Sequence, residues 1–348
     1  MKRICSILLC LILMTCTFAL GGCALLDSLA DRVPTVYNDA EDYTPGDKIL
    51  PGVVDSLYVF WQSGTITVTT HADPSIEIYE TANQETDTDF KLHWNYVDTG
   101  SDEYGHVLYV QYASSGRHDF GDLEKNLTIV LPENDNMHLS FTVNTVAVNL
   151  DVSGFENNLE KLSVVNYGGS TDAKIHSAEL VQISGHTQEE AVSDERCSFR
   201  LSAVDAVDTL LISTSHAAVK VTAQEIGSTD LLSSFADIDL KCKKADSLTL
   251  KNSTGKITAE VETVRKMDIE SYQNVVELYL PETAAFTLTV EPYSSFGSKD
   301  DPGEVSVLFE GVVQEGNTYR VGEKGADINV STGHNVSIIP QPATDAAQ

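Results

Sequence analysis

The residues best suited to chemistry lie in one acidic segment, Thr187 to Arg196. The segment interrupts a regular pattern of alternating apolar residues, and its charged members are Glu189, Glu190, Asp194, Glu195 and Arg196. Carboxylates converging with a basic residue are what polysaccharide lyases and hydrolases need at a sugar linkage. Here the side chains are adjacent in sequence on one polar loop, which is poor preorganisation for catalysis. We therefore predict a partner-contact loop and no catalytic site.

Three histidines offer a possible metal site, because imidazole suits transition metals. His186, His216 and His334 each follow a turn residue of the repeat described below. They occupy distant repeats, and no cysteine or carboxylate joins them at ligand spacing. We expect them to be solvent-facing turn residues, and we expect the protein to need no metal or cofactor.

Outward-facing acids are a second metal candidate, since stacked strands can bring carboxylates within about 5 Å of each other and such rows can hold Ca²⁺. The acids are Asp237, Asp239, Asp246, Glu260, Glu262, Asp268, Glu270 and Glu277. Cations are concentrated in the same region, which favours internal charge pairing instead of Ca²⁺ binding. These cations are Lys241, Lys243, Lys244, Lys251, Lys256, Arg265 and Lys266.

Aromatic residues crowd the first third of the chain. They could stack on sugar rings if they lie on an exposed sheet, or they could form core and cross-strand pairs, which we favour. The group comprises Trp61, Trp94, Tyr96, Tyr104, Tyr109 and Tyr112.

The element that must position these residues is a repeat of nineteen residues. Val219, Ile238, Ile257 and Val276 stand nineteen apart, and Leu210, Leu248, Met267 and Phe286 form a second such column, interrupted only by Thr229. Each repeat holds two apolar-polar alternations, the period expected of a strand with one buried face. A repeat this short must stack on its neighbours. The pattern predicts an all-β protein, a parallel β-solenoid with two-strand rungs, preceded by an antiparallel β N-terminal region.

The N-terminus carries the marks of a targeting segment. Lys2 and Arg3 precede an apolar stretch from Ile4 to Leu20, and then comes Leu20-Gly21-Gly22-Cys23. That tetrad resembles the lipobox of bacterial lipoproteins. The resemblance implies cleavage of a signal peptide at residues 1–22 and attachment of a diacylglyceryl group to Cys23. The alternative is an uncleaved anchor helix, because residues 4–22 are nearly long enough to span a bilayer.

Two cysteines remain after the signal and Cys23 are set aside. Cys197 and Cys242 lie two repeats apart in the predicted register, roughly 9–10 Å at strand spacing. This separation exceeds the usual Cα reach of a disulfide. We expect two buried or half-buried free thiols.

The rest of the chain divides into four segments by composition and periodicity. Residues 23–52 are polar and are predicted to be a tether, and residues 53–132 hold the N-terminal β-strands. Residues 133–340 hold the solenoid repeats, and residues 341–348 are expected to be a disordered tail.

The chain resembles the putative adhesin family of β-strand-repeat bacterial envelope proteins in three features. These are the stretch from Val59 to Val68, the Leu-Pro strands at 131–132 and 280–281, and the Ser-Thr-Gly corners at 253–255 and 331–333. The resemblance covers roughly residues 55 to 340.

Charge restricts the partners. Fifty-two acids and 22 bases give a formal net charge of −30, which opposes binding to nucleic acid. We expect a lipid-anchored, non-catalytic, extracytoplasmic protein on the outer face of the cell membrane. It would act as an adhesin-like scaffold or binding module for an unknown envelope protein or glycan, and would contact the membrane through the lipid on Cys23. The alternatives are a polysaccharide-active β-helix enzyme and an accessory protein in envelope sensing.

Overall fold

A computed structural model describes residues 36–37, 42–100, 105–134, 136–144, 146–154, 158–186, 198–295, 298–300, 303–323 and 325–341. The chain divides into two units. The smaller comprises Met1–Glu41 and Ser115–Asp122, and its described strands are an antiparallel pair. The larger comprises Asp42–Ser114 and Leu123–Gln348 and contains all other strands.

Strands account for nearly all the regular structure. In the smaller unit they are β1 (Val36–Tyr37) and β9 (Gly116–Arg117). The first strands of the larger unit are β2 (Thr44–Pro45), β3 (Lys48–Pro51), β4 (Ser56–Trp61), β5 (Gly64–His71), β6 (Ser75–Ala82), β7 (His93–Asp98), β8 (His106–Gln111) and β10 (Lys125–Pro132). The strands that follow are β11 (His138–Asn144), β12 (Val146–Val152), β13 (Asn158–Tyr167), β14 (Ser170–Ile175), β15 (Ser177–His186), β16 (Ser198–Ala203), β17 (Ala206–Ser215), β18 (Ala218–Ser233), β19 (Ile238–Asn252) and β20 (Ile257–Ser271). The chain closes with β21 (Val276–Pro281), β22 (Phe286–Ser295), β23 (Ser298–Asp300), β24 (Val305–Val307), β25 (Val313–Glu315), β26 (Thr318–Val321), β27 (Ala326–Thr332) and β28 (Val336–Gln341).

Helical structure among these described residues is limited to 3-10 conformation at Asp42 and at Thr88–Phe90, so the predicted all-β class is confirmed. Within the same residues, no helix has the length and apolar character needed to cross a membrane.

The nineteen-residue repeat appears as strand register. Val219 pairs with Ile238, Ile238 with Ile257, and Ile257 with Val276, all in parallel. All four side chains are at most 1% exposed, because the paired residues of neighbouring strands point to the same side of the sheet. The predicted inward columns are therefore confirmed over this stretch.

Parallel pairs follow two ladders. The first ladder runs β8, β4, β11, β13, β15, β17, β18, β19, β20, β27, β22. The second runs β10, β5, β12, β14, β16, β18, β19, β20, β21, β28, β24. The long strands β18, β19 and β20 belong to both, with their first halves in the second ladder and their last halves in the first. Antiparallel strands flank both ladders, so the sheet as a whole is mixed.

The N-terminal region differs from the antiparallel arrangement that was predicted. β4 and β5 already belong to the parallel ladders, and the antiparallel pairs are β2–β7, β3–β6, β6–β10 and β7–β8. Apolar alternation places a strand's buried face but does not fix its direction, since both pairings bury the same side chains. β2 and β3 also show that Thr44–Pro45 and Lys48–Pro51, within the segment predicted to be a tether, are paired strands.

The C-terminal region departs from the predicted column as well. Met267 pairs with Ile328 of β27, and Phe286 pairs with Ala326, so β27 lies between β20 and β22. The prediction that Phe286 stacks directly on Met267 is wrong. Ile328 and Phe286 are both buried apolar residues at inward positions, so the alternation is satisfied by either neighbour.

Corners between the ladders are closed by buried polar side chains. Asn252 Nδ2 donates to the Ala236 carbonyl at 2.7 Å, and its Oδ1 accepts from the Thr254 and Gly255 amides. Ser233 and Ser271 Oγ each donate to a carbonyl three residues ahead. These hydrogen bonds satisfy backbone groups that the chain reversal would otherwise leave buried and unpaired.

Candidate functional site

The site residues selected from the sequence lie outside the described part of the chain. This applies to Cys23, Glu189, Glu190, Asp194, Glu195 and Arg196, and also to Cys197 and Tyr104. The interpretation of 187–196 as a partner-contact loop therefore remains a prediction.

A cleft on the outward face of the first ladder is the best candidate site within the described residues. It has a volume of about 510 Å³ and crosses β19, β20, β27 and β22. Its lining is polar apart from two aliphatic residues: Thr249, Lys251, Asp268, Ile269, Glu270, Glu291, Asn329, Val330 and Ser331.

Strand register arranges the polar members of the cleft in two rows. The first row is Thr249, Asp268 and Asn329, which occupy paired positions on β19, β20 and β27. The second is Lys251, Glu270, Ser331 and Glu291, two residues further along each strand. Neighbours within a row are about 4.8 Å apart between strands, and the two rows are about 7 Å apart along them. Hydroxyl, carboxylate, amide and ammonium groups thus share one surface on rigid strands.

Two tyrosines continue this pattern one step beyond the second row. Tyr272 follows Glu270 by two residues, Tyr293 follows Glu291 by two, and both are half-buried. Their ring centroids are 5.1 Å apart at an interplanar angle of 46°. An aromatic pair beside polar rows offers ring faces on which sugars or cations can rest.

Hydrogen bonds hold one acid of the cleft, Asp268, in its charged form. Burial raises the pKa of Asp268, but hydrogen bonds from Lys266 and from Asn329 Nδ2 (2.9 Å to Oδ1) outweigh it and hold the pKa below its ordinary value. Lys251 Nζ lies 3.0 Å from Glu270 Oε1, and this hydrogen bond raises the pKa of Lys251. Asp268 is therefore ionised at neutral pH, whereas a general acid for glycoside hydrolysis needs a raised pKa.

The most unusual ionisable group of the described residues is a lysine in the protein core. Lys125 is fully buried, and its Nζ lies 2.8 Å from Glu80 Oε2. It donates to the Phe90 carbonyl at 2.8 Å and to the Tyr112 carbonyl. The ammonium also lies 4.9 Å from the Trp61 ring centroid and 4.3 Å from that of Tyr112. Burial lowers the pKa of Lys125 to about 8, although Glu80 opposes this shift.

The surroundings of Lys125 are equally well bonded, which indicates a structural role. Trp61 Nε1 donates to the Lys125 carbonyl at 3.0 Å, and the Tyr112 hydroxyl donates to the Leu123 carbonyl at 2.6 Å. Burial raises the pKa of Tyr112 to about 12. Glu80 Oε1 accepts from the Leu92 amide at 2.9 Å. We interpret these residues as a buried polar cluster that connects β4, β6 and β10 with Tyr112, the residue directly after β8.

Most of the aromatic residues that we singled out in the sequence and that the structure describes are core residues, as we predicted. Trp61, Trp94 and Tyr112 are at most 9% exposed. Tyr109 is half-buried on the outward face and stacks on Tyr58 with centroids 5.3 Å apart. Tyr96 stacks on His106 at 5.8 Å, so these two tyrosines form cross-strand pairs.

The predicted internal charge pairing is also confirmed. Lys220–Asp239, Lys241–Glu260, Lys244–Glu225, Lys251–Glu270 and Arg265–Asp246 are ion pairs of 2.5–3.8 Å between residues nineteen apart. Each joins equivalent positions on adjacent strands. Among the described residues, no three His, Cys, Asp or Glu side chains are grouped as metal ligands would be.

The remaining single residues fit structural roles. His216 adopts a positive φ of 63° and stacks on Phe235, with centroids 4.2 Å apart, and His334 is exposed. Cys242 is a buried free thiol, and burial raises its pKa to about 12. A thiol held protonated in this way is a poor nucleophile.

Sequence reasoning missed the cleft because its strands are not consecutive. Asn329 and Ser331 reach Asp268 and Glu270 only because β27 lies between β20 and β22. The sequence does show that residues 326–332 alternate polar and apolar residues as β20 does. This alternation identifies their outward polar side chains but does not say which strand they lie beside.

Comparisons with known proteins give distant likenesses. No protein-family model matches the chain, and no curated protein matches it. A putative cell adhesion protein from Clostridium sporogenes ATCC 15579 is similar at 12% identity over 86% of this chain and 100% of that one, with a TM-score of 0.21. A putative adhesin from Parabacteroides merdae ATCC 43184 is similar at 10% identity over 86% and 97%, with a TM-score of 0.45. A putative adhesin from Bacteroides fragilis NCTC 9343 is similar at 10% identity over 88% and 99%, with a TM-score of 0.32.

Proposed function

We propose that this chain is a non-catalytic, lipid-anchored surface protein, an adhesin-like binding module on the outer face of the bacterial cell membrane. Its scaffold would be a parallel β-solenoid, in which each rung contributes one strand to each of the two ladders. The observation that carries the proposal is the outward cleft, whose two polar rows are fixed by strand register. A surface built on hydrogen-bonded strands needs little ordering of its backbone when a ligand binds, which suits recognition.

The anchoring part of the proposal rests on Leu20-Gly21-Gly22-Cys23. Metabolic labelling with a fatty-acid probe should mark the wild-type protein, and Cys23→Ser should be unlabelled and retain its signal peptide. Processing and labelling of the variant like wild type would overturn the lipoprotein assignment.

The binding part is tested by a pull-down from envelope extract with the soluble mature domain. We expect capture of a glycan or envelope protein that is lost when Asp268 and Asn329 are both changed to Ala. A matched control, Asp239→Ala, removes an acid from the second ladder and should leave capture unchanged. Equal capture by all three proteins would place the binding surface elsewhere, first at Glu189, Glu190, Asp194, Glu195 and Arg196.

That loop can be tested directly. Replacing Thr187 to Arg196 by a short glycine-containing turn should shift the melting temperature by only a few degrees, because a polar insertion buries little apolar surface. If capture is lost with the fold intact, the loop is the contact surface. The enzyme alternative predicts depolymerisation of the captured glycan, whereas the binding proposal predicts that its chain length is unchanged.

A further inference from the structure

One acid of the cleft, Glu291, has no ion pair with any cation whose side chain the structure describes. Lys251 pairs with Glu270, and Asp268 is bound by Lys266 and Asn329. Glu291 is exposed at the end of the second row of the cleft. The cleft therefore presents an exposed carboxylate beside neutral hydrogen-bonding groups.

An aromatic surface adjoins that charge. Tyr293 lies two residues beyond Glu291 on the same face of β22, and Tyr272 lies 5.1 Å from it between ring centroids. The pKa of Lys251 is raised first by its hydrogen bond to Glu270 and, by a smaller amount, by Tyr293, which places Tyr293 close to the cleft. A ligand cation at Glu291 would thus be near a ring face, which adds a cation–π attraction to that of the carboxylate.

The neutral side chains of the cleft can form hydrogen bonds with the hydroxyl groups of a polyol. Thr249, Asn329 and Ser331 offer hydroxyl and amide groups at the spacing of neighbouring strands, and Asp268 adds a carboxylate. Carboxylates and amides accept or donate two hydrogen bonds at once, as adjacent sugar hydroxyls require. The rows run across the strands, so an extended chain of sugar rings can contact several strands in succession.

We propose that the cleft binds a glycan chain bearing free amines, with an ammonium group at Glu291 and Tyr293 and sugar hydroxyls along the two rows. This inference rests on the proposed function as a surface binding module. A net charge of −30 and the excess of acids in the cleft oppose acidic glycans and favour a cationic one.

The test compares two oligosaccharides of equal length that differ only at the amine: a glucosamine oligomer and its fully N-acetylated counterpart. Binding to the full mature protein is measured by isothermal titration calorimetry at low and high salt. We expect the glucosamine oligomer to bind more tightly and to weaken at high salt. Glu291→Gln should weaken it about tenfold. The control Glu282→Gln makes the same charge change at an exposed position outside the cleft and should have no effect.

Three results separate this inference from the proposed function. Equal binding of both oligosaccharides, unaffected by Glu291→Gln, would overturn the amine assignment and leave glycan binding in place. Equal weakening by Glu291→Gln and Glu282→Gln would also overturn it, since general charge would then explain the effect. Binding of neither oligosaccharide, with a ligand still captured from envelope extract through Asp268 and Asn329, would overturn the glycan class alone. Tyr293→Ala provides a second variant, expected to weaken both oligosaccharides with the melting temperature preserved.

Discussion

Removal of the Lys125 ammonium should destabilise the protein strongly, and the contacts of Lys125 give the expected loss of unfolding free energy. In Lys125→Met the Glu80 carboxylate, 10% exposed, loses its only ion-pair partner among the described residues, and the Phe90 and Tyr112 carbonyls lose their donor. Breaking one side of a buried ion pair costs about 3–5 kcal/mol of unfolding free energy. The double variant Lys125→Met/Glu80→Gln removes the stranded charge and lets Gln Oε1 keep the Leu92 amide. It should therefore be more stable than Lys125→Met alone.

Urea unfolding followed by tryptophan fluorescence is the appropriate assay, because Trp61, one of the two tryptophans of the chain, contacts the Lys125 ammonium and both tryptophans are buried. The folded-state pKa of Lys125, about 8, lies below its ordinary value of 10.5. The native state therefore holds this proton less tightly than the unfolded state does. Protonation of Lys125 therefore lowers the unfolding free energy in full below pH 8. As the pH rises from 8 towards 10.5 the unfolding free energy should increase, by up to roughly 3 kcal/mol.

The wild type should thus gain stability in that pH window relative to Lys125→Met, which lacks the titrating group. The reasoning is refuted if Lys125→Met unfolds within about 0.5 kcal/mol of wild type. It is refuted equally if the double variant is less stable than the single one, since the stranded Glu80 charge would then not be the source of the loss.

Three further predictions concern the repeat. Ile257→Asp buries a carboxylate between Ile238 and Val276 and should lower the unfolding free energy by about 3 kcal/mol or more, whereas Thr263→Asp, exposed beside Lys244, should change it by less than about 0.5 kcal/mol in the same urea titration. Asn252→Ala strands the Thr254 and Gly255 amides and should lower the unfolding free energy by about 1–3 kcal/mol by chemical denaturation, whereas Asn149→Ala, exposed on β12, should change it by less than about 0.5 kcal/mol. Lys241→Ala breaks an exposed ion pair with Glu260 and should lower the melting temperature only slightly, and less at high salt; a loss as large as that of Asn252→Ala would contradict the surface assignment.

Strand parity could be predicted from the sequence because it is a local property. Alternation at Val219, Val221, Ile238 and Leu240 assigns the buried face, and their nineteen-residue spacing gives the register that the strands adopt. The outward lysines and acids follow from the same parity, so their pairing nineteen residues apart followed as well.

Strand order at the two ends of the ladders was decided only by the tertiary structure. Placing β27 beside β20, or β4 between β8 and β11, buries the same kind of inward apolar residue as the sequential order would, so the alternation cannot distinguish them. The cleft depends on that choice, because Asn329 and Ser331 join Asp268 and Glu270 only in the observed order.

Lys125 shows the same division between sequence and structure. Its phase with Leu127, Ile129 and Leu131 places it inward on β10, and this much is written in the sequence. Whether an inward lysine is tolerated depends on what faces it, since a buried ammonium needs an opposite charge and hydrogen-bond acceptors. Glu80 comes from β6, 45 positions earlier, and the two carbonyls come from other segments. Only the assembled fold brings these groups together.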